Sequence, residues 1–142
     1  MYKSIMVPVD LAEPELAQPA IEAAVSFAKV SGGTVRLVYV RSLVPVTYME
    51  FVPADFDAGQ QQDAEAKLAE IAAKVDLPSD QVSAKVLIGS VHGEVLAEAD
   101  ASGADLIVIA SHEPGMLAYV LGSNASAIVR RAHCSVLVVR GA

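Results

Sequence analysis

Apolar residues along the chain gather into short runs, separated by longer stretches in which polar residues recur every three or four positions. Ser4 to Val9, Thr34 to Val40, Val82 to Ile88, Ala104 to Ala110 and Ser135 to Arg140 are the apolar runs, and each has the length of a strand. Leu106, Ile107, Val108 and Ile109 are consecutive and bulky, a pattern that suits a strand buried on both faces of a parallel sheet. From Pro14 to Ser31, Glu15, Gln18, Glu22, Ser26 and Lys29 fall at helical spacing, so an amphipathic helix is expected there, stopped by Gly32-Gly33. Gln60 to Asp76 reads as a second helix, with Ala64, Leu68, Ile71 and Val75 on its inner face and Leu77-Pro78 at its end. Gly89-Ser90 opens a third helix from Val91 to Ser102, and Ser123 to Ala132 forms a fourth. Strands and helices alternate throughout, and each helix is long enough for a crossover. This predicts an α/β, Rossmann-like fold: a doubly wound five-stranded parallel sheet of strand order 3-2-1-4-5 with helices on both faces.

Composition changes this picture by bounding it. A chain of 142 residues, 54% hydrophobic, suffices for one core, so residues 1–142 are expected to form a single domain. A net charge of -7 and the scarcity of basic clusters, Arg130-Arg131 being the one adjacent pair, argue against a nucleic-acid surface. That pair suits the last turn of a helix. Cys134 is the only cysteine, which excludes an internal disulfide and a thiolate zinc site and fits a reducing cytoplasm. MYKSIMVPVD has no signal-peptide core, and no apolar run nears the roughly 20 residues that span a bilayer, so no membrane association is expected.

Candidate chemistry concentrates where the strands end. In a doubly wound sheet the ligand crevice opens beyond the carboxyl ends of the strands where the winding reverses, here between the first and fourth. Asp10 after the first strand and Ser111 after the fourth would face one another there. Asp10 reads equally as a turn residue for Leu11-Ala12-Glu13-Pro14. Gly122 permits close backbone approach, and Ser123 and Asn124 are residue types that cap a helix; a helix start of this kind receives phosphate through unpaired N–H groups, and is also common punctuation. Arg41 to Gly59 is the longest stretch without a period and would form either a cover over a ligand or a self-packed surface loop. Several chemistries drop out. There is no P-loop motif and no lysine after Lys85, and no G-x-G-x-x-G follows the first strand. The acidic residue that a receiver domain needs after its third strand is replaced by Gly89, and the lysine after its fifth by Arg140. His133 and Cys134 are adjacent and point apart, which disfavours a Cys–His pair, and His92 and His112 lack metal-ligand spacing. No catalytic and no metal-ligating residue is assigned.

The opening IMVPVD, the segment ADLIVIASH, the stretch LGSNASAIVRRAHCSVLVVR and the order of elements together resemble the universal stress protein family from end to end. Its ATP-binding members carry G-x-x-G, nine residues, then G-[ST] between the fourth strand and the fourth helix. Gly122-Ser123 matches the end of that motif, while Ala110 and Glu113 stand where its first two glycines are expected. Ser111-His112-Glu113-Pro114 and Leu121-Gly122-Ser123-Asn124 resemble a subgroup with Ser-His-x-Pro and Leu-Gly-Ser-Asn. The resemblance implies a site for ATP, with Mg²⁺ carried on its phosphates. Pro8, Val9 and Asp10 would line the adenosine end, Val40 would meet the base through its backbone, and Ala110, Ser111 and His112 would lie beside the ribose and the loop. Gly122, Ser123, Asn124 and Ala125 would hold phosphates, with Ser135 and Val136 nearby. It also implies a homodimer through the last strand, Val136, Leu137, Val138 and Val139, which the strand order leaves at a sheet edge. Two functions follow: an ATP-binding stress-response module without dedicated enzyme activity, or a nucleotide-free interaction protein that keeps only the fold and dimerises.

Overall fold

The computed structural model describes residues 1–42, 55–111 and 122–140. Its strands are β1 (Ser4–Pro8), β2 (Thr34–Arg41), β3 (Val82–Ile88), β4 (Leu106–Ser111) and β5 (Ser135–Arg140). They form one sheet in the order β3-β2-β1-β4-β5, with every neighbouring pair parallel, as the sequence pattern predicts. The helices are α1 (Gln18–Ser31), α2 (Phe56–Ala73), α3 (Val91–Ser102) and α4 (Ser123–Arg131).

Alternate residues of the central strands supply two separate cores, which is why these strands read as unbroken apolar runs. Ile5, Val7, Val35, Leu37, Leu106 and Val108 pack against Ala20, Ile21, Ala24 and Ala28 of α1 and Leu68 of α2. Met6, Val38, Val40, Ile107 and Ile109 face the other way, toward Val95 and Ala99 of α3 and Ile128 of α4. Gly32 ends α1 in the left-handed conformation, φ 73°, that glycine adopts without penalty. At Gly33 a Cβ would lie 2.5 Å from the Lys3 carbonyl oxygen, so only glycine lets β2 start tight against the strand beside it.

Several boundaries differ from the sequence reading by one to four residues, and the differences at the openings of α1, α2 and α4 have a local cause. A 3₁₀ turn, Pro14–Ala17, precedes α1, because Pro14 and Pro19 restrict the entry to the helix. The second helix begins at Phe56 instead of Gln60, and the Gly59 amide donates to the Asp55 carbonyl at 2.9 Å, so this glycine lies inside the first turn. In α4 the cap position belongs to Gly122, and Ser123 is the first helical residue.

Two buried charges lock the layers together. Glu98 of α3, only 7% exposed, accepts from Arg36 Nη1 of β2 at 2.6 Å and from Lys85 Nζ of β3 at 3.0 Å. Arg41, at the end of β2, is likewise buried and donates from Nε to Gln61 at 2.7 Å and from Nη1 to Asp57 at 2.9 Å, tying the strand to the opening turns of α2. The hydrogen bond from Arg41 holds the Asp57 carboxyl below the usual carboxylate range.

Candidate functional site

Pairing of β1 with β4 stops at Met6 and Ile107, and a cleft of about 410 Å³ opens at the carboxyl ends of these strands, where the winding of the sheet reverses. Pro8, Val9 and Asp10 enter it from β1, Val38, Tyr39 and Val40 from β2, and Ile109, Ala110 and Ser111 from β4. Val91 and Val95 of α3 and Ile128 of α4 make the apolar wall, and Gly122, Ser123, Asn124 and Ala125 close the far end. Glu13, Leu16 and Ala17 contribute from the turn after β1. Asp10 meets both sequence readings at once: it lines the cleft, and its Oδ1 accepts the Ala12 amide at 3.0 Å as a turn residue does.

The two ends of the cleft differ chemically. At the apolar end the ladder between β1 and β2 runs out. The Val9 amide donates to the Val38 carbonyl at 2.8 Å, and by the two-residue alternation of a parallel ladder Val40 turns its N–H and C=O toward the same side. Neither group of Val40 takes a backbone partner from β1 or the turn after it. A donor and an acceptor side by side above an apolar floor match the hydrogen-bonding edge of a planar heterocycle.

At the polar end α4 begins. Its first helical bond runs from the Ser126 amide to the Gly122 carbonyl at 2.9 Å, so the amides of Ser123, Asn124 and Ala125 precede the ladder and have no intrahelical acceptor. With the positive end of the helix dipole they form an anion-binding end. Asn124 is held in place from outside: its Oδ1 accepts the His92 amide at 3.3 Å and lies 3.1 Å from His92 Nδ1. The starts of α3 and α4 are thereby joined. Among the described residues the lining includes two carboxylates, Asp10 and Glu13, and neither a lysine nor an arginine.

Of the residues expected from the sequence, the structure brings together Pro8, Val9, Asp10, Val40, Ala110, Ser111, Gly122, Ser123, Asn124 and Ala125. It does not bring Ser135 and Val136 there. They open β5 beside Leu106 and Ile107, at the amino end of the sheet, where Ser135 accepts from the Tyr2 hydroxyl at 3.0 Å. His112 and Glu113 lie outside the described residues, as does most of the stretch from Arg41 to Gly59. Sequence reasoning missed Glu13, Leu16, Ala17, Val38, Tyr39, Val91, Val95, Ile109 and Ile128. The signal for Val38 was present, since it shares a strand face with Val40. His133 approaches Asp100 at 3.2 Å, while burial first, then Asp100 and Asp105, push the Cys134 thiol up, away from thiolate chemistry. No cluster of metal-ligating side chains occurs among the described residues.

Residues 1–140 match the sequence model of the universal stress protein family. Universal stress protein G of Shigella flexneri is 35% identical over 143 residues, covering 99% of this chain and 100% of that protein. Among solved structures, the hypothetical protein MJ0577 superposes with a TM-score of 0.80 at 24% identity, covering 100% of this chain and 98% of the other. A universal stress protein in complex with cAMP superposes with a TM-score of 0.70 at 20% identity, covering 96% of this chain and 97% of the other.

Proposed function

The chain belongs to the universal stress protein family, and from that premise we propose that it binds an adenine nucleotide, ATP with Mg²⁺, in the cleft at the ends of β1, β2 and β4. The observation that carries this is the pairing of two unlike ends in one cavity: the backbone edge of Val40 and the three amides that open α4, none of which takes a backbone partner across the cleft among the described residues. A base would lie on the apolar floor and meet Val40. The ribose would rest against Asp10, Ala110 and Ser111, and the first phosphate against Ser123, Asn124 and Ala125. A structural neighbour solved with cAMP supports an adenine ligand for this fold. Mg²⁺ would ride on the phosphates and offset their charge. Phosphoryl transfer needs a cationic group on the γ-phosphate, and the described lining provides none, so turnover would be slow or absent; the role we propose is that of a nucleotide-responsive module in a cytoplasmic stress response.

The same module would work as a homodimer through β5. Both outer strands leave an edge, but β3 carries the exposed Lys85 in its middle, and β5 places Val136, Leu137, Val138 and Val139 in succession without lysine or proline. One feature favours the second reading, a nucleotide-free interaction protein. The two carboxylates of the described lining, Asp10 and Glu13, have no cation among the described lining residues to balance them. Purification decides between the two. Nucleotide released on denaturation, identified by absorbance and mass, supports the first; protein that carries none and gains none from saturating Mg-ATP supports the second.

A further inference from the structure

We infer that His92, which does not itself line the cleft, is a positioning residue for the phosphate end: it holds the side-chain oxygen of Asn124 and so leaves the Asn124 NH₂ group as a donor to the ligand's phosphoryl group. This rests on the nucleotide reading above and adds a residue that sets the preference for a nucleotide over its nucleoside.

The first turns of α3 and α4 share one cap. In α3 the first helical bond runs from the Glu94 amide to the Ser90 carbonyl at 2.9 Å, so the His92 amide precedes the ladder and needs an acceptor from elsewhere. Ser90 occupies the cap position but makes no side-chain cap bond, and Asn124 of α4 supplies the acceptor instead. The two ends of a side-chain amide have nearly the same shape, and this contact decides between them: a backbone N–H only donates, so the atom 3.3 Å from it is Oδ1. With a proton on Nδ1, the His92 ring adds a second donor to the same oxygen, 3.1 Å away. Asn124 Nδ2 then keeps both its N–H groups, and neither meets an acceptor among the described residues. Asn124 lines the cleft, in the same turn as the amides of Ser123, Asn124 and Ala125. An anion supplies the acceptors that this cluster of donors lacks. His92 holds the exposed Asn124 side chain in advance, so less rotamer freedom is lost when the ligand arrives.

Calorimetric titration of the full chain with AMP and with adenosine tests this in the parent, His92→Leu, His92→Asn, Asn124→Ala and the His92→Leu, Asn124→Ala double variant. AMP should bind His92→Leu about three- to tenfold more weakly than the parent, the net worth of one hydrogen bond, while adenosine binds as before. In His92→Asn the side-chain NH₂ lies as many bonds from the backbone as Nδ1 does, so AMP affinity should return to within about twofold of the parent. In the double variant His92→Leu should add no loss to that of Asn124→Ala, because it acts through Asn124. A His92→Leu protein, folded by circular dichroism, that binds AMP as the parent does, or that weakens AMP and adenosine alike, would overturn the inference and leave the nucleotide reading intact. Additive losses in the double variant, or no rescue by asparagine, would do the same. Absence of binding by both ligands to the parent would overturn both.

Discussion

Replacement of Ile128 by alanine should loosen one end of the cleft before it unfolds the protein. Helix α4 has nine residues, and Ile128 is its one fully buried side chain, 2% exposed, with half-buried Ala125 and Ala132 beside it. So short a helix does not hold itself together in water, and its position depends on that anchor. An isoleucine truncated to alanine in a core costs about 2–5 kcal/mol, the upper part reflecting a sealed void. Ile128 borders the cleft, so the vacated space opens to water and the void contribution falls away. The expected loss is about 2–3 kcal/mol, or roughly 5–10 °C in melting temperature for a domain of this size. Urea unfolding with an unchanged m-value should report it, and amide exchange should show faster opening across residues 123–131 than in α1. Val129→Ala is the control: at 45% exposure it should stay within about 0.5 kcal/mol. An Ile128→Ala protein as stable as its parent, with α4 equally protected, would refute the claim that this contact positions the helix start.

Val138→Lys should convert the homodimer proposed above to monomer or aggregate by light scattering; a parent that is monomeric, or a dimer unchanged by the substitution, would remove β5 as an interface. Glu98→Gln should cost about 1–3 kcal/mol in urea unfolding, less than for a fully buried pair because Arg36 and Lys85, at 36% and 52% exposure, recover water; no loss would mean the clamp is idle. Hydrogen bonds from Arg41 and Lys29 depress Asp57 and Asp76, so their contribution is present above the unfolded carboxyl value and is lost as pH falls through the lower folded values. Below about pH 4 the Asp57→Asn, Asp76→Asn double variant should therefore lose stability less steeply than the parent, and parallel acid limbs in urea midpoints would contradict this.

Much of the fold was legible because each buried strand writes its two faces into adjacent letters. Leu106 to Ile109 can be apolar throughout only if both sides are covered, and Val7 and Met6 do serve opposite cores. The start of α2 was less legible, since Gly59 reads as a breaker yet lies within the first turn. Ser123 looked like a cap by type, but Gly122 holds that place and the serine follows it. Site residues adjoining the strand ends could be located from chain order. Glu13, Leu16 and Ala17 could not, because a 3₁₀ turn folds them back over the crevice and carries no period of its own. Ser135 and Val136 came with the family resemblance, and the parallel register of β5 puts them at the far end of the sheet.

The central claim is that a nucleotide occupies the cleft, and the most direct test is the melting temperature of the parent and of Gly122→Val with saturating Mg-ATP. Gly122 has φ -62°, which any residue adopts, so valine adds bulk beside the α4 amides without backbone strain. The account predicts that ligand at about 100 times its dissociation constant stabilises the parent by about 2.7 kcal/mol, roughly 5–10 °C, and that the folded variant shows no shift. A parent whose melting point does not move, or a variant that shifts as far as the parent, would contradict it.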